Sequence, residues 1–353
     1  MMKLREQSID VMAEKVLSAC LEKIPFMKVA EVRSEKGEAE HRPDRVFRLT
    51  TSEGEKVLIA EVKNNGQPRL ARGAVSQLLR YRNLYPDSYS VFIAPYISAE
   101  SGEICRKEGI GYVDFAGNCF LSFDQVFISR EGNPNPFTEK RVIRSLYYPK
   151  AARVLRVLLS EPKKSWRIQE LSKTAGVSLG QASNVKRLLE DREWVKRQAD
   201  GFRLVKPEEL LKEWADQYTF RKNEIREFYT LKNPADIEAD LAEVCGQRAV
   251  DYALTGFSGA ARLAPTVRYQ RVMAYIGAGL EEIAARLGLK EVTSGSNVTL
   301  MDPFDEGVFY GARLIDGVRI VSPIQVYLDL KGFRGRGEEA ANAIFEEVLR
   351  PSW

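Results

Sequence analysis

Three charged side chains in the first fifth of the chain have the types and spacing needed for metal-dependent phosphodiester chemistry. Asp44 follows a proline, and Glu61 and Lys63 stand two positions apart at the end of the apolar run V-L-I-A-E-V-K. On a strand, residues two apart point to the same face. Two carboxylates such as Asp44 and Glu61 can chelate Mg²⁺, and a lysine beside them can stabilise developing charge or activate a water. Glu14 and Gln77, on flanking helices, complete the candidate catalytic set.

The elements predicted around these residues follow the order helix, three strands, helix, strand. They are a helix at 9–21, strands at 28–32, 46–50 and 57–63, a basic helix at 71–81 and a buried strand at 89–94, with a further helix at 101–107 and strand at 111–115. This order resembles the restriction-endonuclease-like core of the PD-(D/E)xK nucleases, and Pro43-Asp44 and Glu61-Val62-Lys63 resemble its motif. A nuclease-like fold that has lost its activity would keep the same polar residues, so both readings stay open.

Residues 165–205 carry the pattern of a winged helix-turn-helix. A first helix ends at Gly176, because glycine readily takes the left-handed conformation that closes a helix. Ser178 then stands three residues before Gln181, an arrangement that begins a second helix. The buried stripe of that helix is predicted at helical spacing, with Leu179, Ala182, Val185, Leu188 and Leu189. Two strands joined by Asp200-Gly201 form a hairpin, the wing.

Polar and basic side chains of this segment are the candidate contacts to DNA phosphates and base edges. They are Gln181, Ser183, Asn184, Lys186 and Arg187 on the second helix, Lys163, Lys164 and Arg167 before the first, and Lys196, Arg197 and Arg203 on the hairpin. Residues 141–206 contain 16 Lys and Arg against 6 Asp and Glu, whereas the other residues contain 37 against 43. A positive segment in an acidic remainder is typical of a phosphate-binding surface.

Length and composition indicate a chain of several domains, without a membrane span and without a metal site built from histidine or cysteine. The 353 residues predict three domains: 1–137 nuclease-like, 141–207 winged helix-turn-helix and 208–353 α+β. No apolar run reaches the roughly 20 residues of a membrane span. Four scattered cysteines and the single His41 argue against zinc and a disulfide framework. We therefore expect a cytoplasmic α+β multidomain protein, with Mg²⁺ as the one cofactor and only if the nuclease-like site is active.

The last domain contains a turn that is similar to one found in nucleotidyltransferases. The turn is Thr255-Gly256-Phe257-Ser258, and in such enzymes the next strand supplies an Asp-x-Asp pair that holds Mg²⁺. The corresponding strand here, 271–276, reads R-V-M-A-Y-I and contains no acid. A nucleotidyltransferase-like scaffold without catalysis is therefore one interpretation of this α+β domain.

Three long strings in the C-terminal domain, together with the helix-turn-helix, resemble the AbiEi family of antitoxin-type regulators from bacterial abortive-infection systems. The strings are Tyr252–Arg262, Ser322–Leu330 and Gly335–Ala341. The resemblance implies a repressor of its own type IV toxin–antitoxin operon that binds inverted repeats, and such palindromic operators in turn favour a homodimer. It also implies a nucleotidyltransferase-like toxin, encoded nearby and antagonised without direct contact. In better-known members the winged helix begins the chain, whereas here about 140 residues precede it.

Three functions are therefore open. The leading one is a non-enzymatic, sequence-specific regulator that binds double-stranded promoter DNA. The second is a Mg²⁺-dependent DNA nuclease that its winged helix directs to DNA. The third is an interaction scaffold whose basic face is incidental.

Overall fold

A computed structural model describes residues 6–22, 24–34, 42–52, 54–136, 146–264, 267, 269–333 and 335–353. The chain forms two compact units: residues 1–142 with 190–193, and residues 143–189 with 194–353. The predicted domain limits at 137 and 141 lie outside the described residues, as does His41. Within the described ranges, no helix has the length and apolar character required to cross a bilayer.

The first unit is a seven-stranded sheet with helices on its two faces. Its elements are α1 (Glu6–Leu21), β1 (Met27–Ser34), β2 (Arg45–Thr51), β3 (Gly54–Val62), α2 (Pro68–Tyr81), β4 (Tyr89–Ala94), α3 (Ala99–Lys107), β5 (Gly111–Asp114), β6 (Cys119–Phe123) and β7 (Val126–Arg130). The strands lie in chain order across the sheet. The pairs β3–β4 and β4–β5 are parallel, and the other pairs are antiparallel. The predicted order helix, three strands, helix, strand is thus confirmed, within a mixed α/β unit.

Side-chain alternation along the strands divides the core into two layers. Phe47, Leu49 and Leu58 pack in the layer that contains α1. Val46 and Ile59 pack in the layer that contains α2 and α3. Because side chains two positions apart share a face, Asp44 and Glu61 lie on the α2 side of the sheet. The apolar pattern of β2 and β3 therefore decides which helix faces the candidate site.

The second unit begins with three helices and a hairpin, which we call the helix–hairpin segment (residues 149–204). Its elements are α4 (Pro149–Ser160), α5 (Ile168–Thr174), α6 (Leu179–Asp191), β8 (Val195–Gln198) and β9 (Gly201–Leu204). The two predicted helices and the hairpin are present, and α4 was not predicted. Gly176 has a φ of +60°, as its position at the end of α5 requires. Ser178 caps α6, because its Oγ accepts a hydrogen bond of 3.2 Å from the Gln181 N–H.

A second seven-stranded sheet with helices follows in the same unit. Its elements are α7 (Pro207–Gln217), β10 (Glu224–Tyr229), α8 (Pro234–Arg248), β11 (Tyr252–Leu254), α9 (Gly256–Leu263), β12 (Val272–Ile276), α10 (Leu280–Arg286), β13 (Lys290–Glu291), β14 (Val298–Asp302), β15 (Arg313–Ile315), β16 (Val318–Ile320), α11 (Pro323–Lys331), α12 (Arg336–Ile344) and α13 (Arg350–Ser352). The strand order is β13-β10-β14-β12-β11-β16-β15. This is the α+β architecture predicted for the C-terminal part.

A buried polar network joins α4 to this sheet region. The Arg156 guanidinium, 4% exposed, donates to Gln325 Oε1 at 2.5 and 3.2 Å and lies 5.1 Å from the centre of the Trp214 ring. Gln325 Nε2 donates in turn to Asp329 Oδ1 at 2.9 Å. Asp329 also accepts hydrogen bonds from Thr255 and Tyr275. The helix–hairpin segment and the second sheet therefore share one interior.

Candidate functional site

In the first unit, the structure brings together the three charged residues that carry the predicted motif. Asp44 directly precedes β2, whose first residue pairs with Ala60, so Asp44 lies opposite the end of β3. Its Oδ2 accepts a 2.8 Å hydrogen bond from the Val62 N–H. Lys63 Nζ is 2.5 Å from Glu61 Oε1. Two carboxylates and one ammonium group thus converge where β3 ends.

Glu61 has the most unusual environment in this group. Its side chain is 2% exposed, and its Oε2 is buried without a hydrogen-bond partner. Burial raises the pKa of Glu61, and the negative charge of Asp44 raises it further, whereas the hydrogen bond from Lys63 lowers it. A buried acceptor without a partner costs about 1–3 kcal/mol. The unpaired oxygen is therefore the atom at which an added cation or donor would stabilise the site.

Helix α2 covers the site with polar groups of which only Gln77 was predicted. Gln77 hydrogen-bonds the Tyr81 side chain, and burial followed by the charges of Glu61 and Asp44 raises the Tyr81 pKa. Arg80 lowers the pKa of Glu61 through its positive charge. Arg80 and Tyr81 lie one helical turn after Gln77 on a basic helix, and this spacing was the feature of the sequence that could have identified them. The nuclease motif itself includes neither residue.

Glu14, on α1, is held by an arginine that was not predicted. The buried Arg45 places its Nε 2.6 Å from Glu14 Oε1 and donates from Nη1 to the Asp44 carbonyl oxygen at 2.7 Å. Glu14 is therefore linked to Asp44 through Arg45. Its assignment as a further catalytic carboxylate stays a prediction.

The donor set fits a hard divalent cation that keeps part of its own hydration. Mg²⁺ is commonly held by one or two carboxylates, with waters and substrate phosphate oxygens completing the shell. Asp44 and Glu61 supply two carboxylates, and the unpaired Glu61 Oε2 is a free ligand atom. No group of three or more His, Cys, Asp or Glu side chains is arranged to hold a metal within the ranges that the structure describes.

In the second unit, helix α6 presents a polar outer face. Ser183 and Arg187 are exposed, and Gln181, Asn184 and Lys186 are half-buried. Arg187 donates to Asn184 Oδ1 at 3.0 Å. Ala182, Val185, Leu188 and Leu189 are buried as predicted. Leu179 is not: its side chain is 50% exposed, because it occupies the first helical position, outside the packed stripe.

The hairpin carries three exposed basic side chains. Lys196 and Arg203 lie directly opposite each other on β8 and β9, and Arg197 is next to Lys196. Phe202 is buried and lies 5.4 Å from Lys186 Nζ, measured to the ring centre, so the hairpin packs against α6. The hairpin and α6 therefore pack together, with Lys196 and Arg203 on the strand face opposite to that of Phe202.

The three predicted basic residues between α4 and α5 contact other parts of the second unit. Lys164 Nζ is 2.9 Å from Glu170 and lies over the Trp166 ring at 3.9 Å. Arg167 donates to the Asp200 carbonyl at 3.3 Å, and Lys163 to that of Ser352 at 3.4 Å. These contacts stabilise the base of the hairpin and the packing beside it, and contact with DNA by these three residues stays a prediction.

In the nucleotidyltransferase-like turn, the Ser258 hydroxyl makes its hydrogen bonds to the backbone. Ser258 Oγ donates to the carbonyl oxygens of Thr255 at 3.0 Å and Met273 at 3.2 Å, and it accepts from the Met273 N–H at 3.1 Å. Gly256 has a φ of +55°. The serine thus ties α9 to β12, and this arrangement favours a structural role for the turn.

Comparison with known proteins gave few matches. The comparison with curated proteins found no match. Among solved structures, the EndoMS-dsDNA2 complex is 16% identical with a TM-score of 0.21, covering 29% of this chain and 43% of that chain. A repair endonuclease from Pyrococcus abyssi is 14% identical with a TM-score of 0.22, covering 29% and 46%. The chain thus spans less than half the length of these structures.

The C-terminal part of the chain gives a family match. It begins at the hairpin and extends through the second sheet to the last helix. It includes all three strings on which the resemblance was based. Residues 203–350 match the family of transcriptional regulators described as AbiEi antitoxins of type IV toxin–antitoxin systems, which confirms the predicted resemblance for this part of the chain.

Proposed function

We propose that the protein is a cytoplasmic, sequence-specific DNA-binding regulator of a toxin–antitoxin locus and that its helix–hairpin segment is a winged helix-turn-helix. The observation that carries the proposal is the pair Lys196 and Arg203. They lie opposite each other on two antiparallel strands, and no ion pair to either is found among the described residues. Like charges in that position destabilise a hairpin. A polyanion bound across the hairpin would remove the repulsion.

The neighbouring helix supports the same ligand. In a helix-turn-helix, the second helix enters the major groove and presents its outer residues to base edges. Helix α6 has amide and hydroxyl groups on that face, at Gln181, Ser183 and Asn184, which suit hydrogen bonding to bases. Arg187 and the hairpin cations suit phosphate contacts, which position a protein without reading sequence. The proposal thus assigns base contacts to α6 and phosphate contacts to Arg187 and the hairpin.

The match of residues 203–350 to the AbiEi antitoxin family supports the regulatory role. On that basis we propose autorepression of a toxin–antitoxin operon through inverted repeats, which requires a homodimer. The partner would be a nucleotidyltransferase-like toxin encoded beside the gene, and DNA binding itself requires no cofactor. A toxin reading frame next to this gene, and rescue from that toxin by this protein, would support the antitoxin role. Growth arrest that this protein does not relieve would oppose it.

Gel-shift titration with duplex DNA from upstream of the gene tests DNA binding. The logarithm of the affinity should fall by about 0.9 per neutralised phosphate for each log unit of salt. The double change Lys196→Ala and Arg203→Ala should weaken binding about tenfold or more and reduce the salt slope by about 2. Arg313→Ala removes an exposed charge elsewhere in the same unit and serves as the control. Equal binding by all three proteins would reject the proposed surface.

A second candidate function, phosphodiester cleavage in the first unit, is favoured by the unpaired Glu61 Oε2. Asp44 and Glu61 would hold Mg²⁺, which when bound would polarise a phosphate oxygen and lower the pKa of a water. Lys63 would hold its ammonium group against the negative charge that develops on the phosphate. Its 2.5 Å contact with Glu61 keeps the side chain at the site. Burial of Glu61 limits the access of bulk water to the carboxylate.

Plasmid nicking separates the two functions. Nicking that needs Mg²⁺ and disappears in Glu61→Ala and Lys63→Ala would establish a nuclease. Wild-type protein that binds DNA without nicking it would leave the regulator as the function. Glu103→Ala, which removes an exposed carboxylate 3.1 Å from the half-buried Arg106, is the matched control for removal of a carboxylate from the same unit.

A further inference from the structure

Two neighbouring residues at the start of α6 have types that the fold itself does not explain. Leu179 exposes half of its side chain to solvent. Gly180 is the second residue of the same 13-residue helix, and a Cβ placed there would meet no atom within 4 Å. Neither the packed stripe of the helix nor a close neighbour requires these residue types.

The glycine is the more informative of the two. A single exposed leucine is ordinary on a protein surface, but glycine in a helix is unfavourable relative to alanine because it loses more backbone freedom on folding. Two other glycines of the segment have evident reasons. Gly176 has a positive φ, and a Cβ on Gly201 would lie 2.4 Å from the Trp166 carbonyl oxygen. Gly180 has neither a positive φ nor a neighbour.

We propose that Leu179 and Gly180 form the part of α6 that reads DNA sequence, with Leu179 packed against the C5-methyl group of a thymine. The methyl is the apolar feature of the major groove, and the other base-edge features are hydrogen-bonding groups. Gly180 leaves the space through which the DNA approaches the helix closely. The proposal rests on the DNA-binding function proposed above and names a specificity contact within it.

Charge favours duplex DNA over a protein partner for this apolar position. Gln181 follows directly, Ser183 and Arg187 lie on the exposed face of the same helix, and the hairpin adds Lys196 and Arg203. A leucine surrounded by hydroxyl, amide and cationic groups matches a methyl group that is flanked by base edges and phosphates. An apolar protein partner would not neutralise the charges of Lys196 and Arg203, which face each other on the hairpin.

Removal of a single methyl group from the DNA gives a direct test. Duplexes that wild-type protein enriches from a randomised pool are resynthesised with deoxyuridine in place of each thymine in turn. At one position in each half-site, the wild-type affinity should fall roughly fourfold, as expected for one buried methyl group. Leu179→Ala should bind the thymine and deoxyuridine duplexes equally. Leu314→Ala, which shortens a leucine that is 73% exposed on β15, should keep the difference.

A glycine-to-alanine pair tests the space at position 180. Gly180→Ala should raise the Tm and weaken binding to every enriched duplex at least tenfold. Gly246→Ala, in α8, also has no atom within 4 Å of the added Cβ and should raise the Tm without changing affinity. Unchanged DNA binding by Gly180→Ala, or thymine discrimination that survives in Leu179→Ala, would overturn the proposal. Wild-type protein that enriches no duplex would overturn the DNA-binding function as well.

Discussion

Gly66→Ala should destabilise the first unit, because the glycine lies against backbone that has no freedom to move aside. Its added Cβ would lie 2.2 Å from the Tyr96 carbonyl oxygen and 2.9 Å from the Ile97 Cα. Gly66 and Ile97 form a β-bridge that continues the sheet beyond β3. A side chain could rotate away from the new methyl group, but these atoms belong to the main chain.

The size of the effect follows from the distances. Ordinary contact begins at 3.4 Å, so the two segments would have to separate by roughly 1 Å. Overpacking of this kind costs about 1–3 kcal/mol, and loss of the bridging hydrogen bond about 1 kcal/mol more. Reduced freedom of the unfolded chain returns about 0.4–1 kcal/mol. The net loss is about 2 kcal/mol, a drop of roughly 5–10 °C in Tm.

Thermal unfolding followed by far-UV circular dichroism measures the change, and a second glycine provides the control. Gly73 lies in α2, only seven positions away, and a Cβ there would meet nothing within 4 Å. Gly73→Ala should therefore stabilise the protein by about 0.5–1 kcal/mol. All four tryptophans lie beyond residue 165, so tryptophan fluorescence should show no change in the unfolding of the second unit in either variant.

Opposite signs for the two substitutions are the required result. If Gly66→Ala raised the Tm as Gly73→Ala does, the backbone contact with Tyr96 would not constrain this turn. The reasoning would also be refuted if Gly66→Ala changed the fluorescence transition alone. A confirmed loss would show that close contact between the Gly66 and Tyr96–Ile97 backbones, three residues after Lys63, stabilises the first unit.

Three further predictions concern charge and burial. Burial raises the pKa of Glu61, so its contribution to stability is present below the unfolded pKa and is lost as pH rises through the folded pKa. In Glu61→Gln the urea midpoint of the first unit should therefore depend less on pH between pH 4 and 8. An unchanged pH dependence would contradict this. Lys196→Ala alone should raise the Tm slightly, by relief of about 0.2–1 kcal/mol of repulsion from Arg203, while weakening DNA binding; a fall in Tm would show that the pair is not repulsive. Asp329→Ala leaves the buried hydroxyl groups of Thr255 and Tyr275 without their acceptor, which costs about 1–3 kcal/mol for each hydroxyl. The urea midpoint of the second unit, measured by tryptophan fluorescence, should therefore fall. A midpoint equal to that of wild type would argue against the network.

The elements predicted most accurately from the sequence are those with the simplest environment. The strands Tyr89–Ala94 and Val272–Ile276 are buried at every position, and the apolar residues that fill them, apart from Ser90, made both strands recognisable. Strand Glu224–Tyr229 was not predicted, since one buried residue, Phe228, lies among exposed and half-buried ones. Helix Pro234–Arg248 was missed because its stripe is narrow and includes a buried glutamate.

The sequence predicted the motif residues of the candidate site but not the contacts that surround them. Spacing along one strand places Glu61 and Lys63 on one face without knowledge of the fold. The contact of Glu14 with Arg45 depends on how α1 crosses the sheet, which no local pattern contains. Leu179 was predicted to be buried and is exposed, because helical spacing predicts which residues share a face but not where the packed part of the helix begins.

Because the Arg156 network joins α4 to α11, the interior of the second unit continues across residue 207, where the sequence predicts a domain limit. A chimera that joined a foreign winged helix at residue 207 would separate Arg156 from Gln325 and leave a buried amide and carboxylate without their partners. Exchange of the helix–hairpin segment between relatives would therefore succeed only when α4 is inherited together with α11. Under the proposed function, new operator specificities should then arise by substitution on the surface of α6 more readily than by recombination.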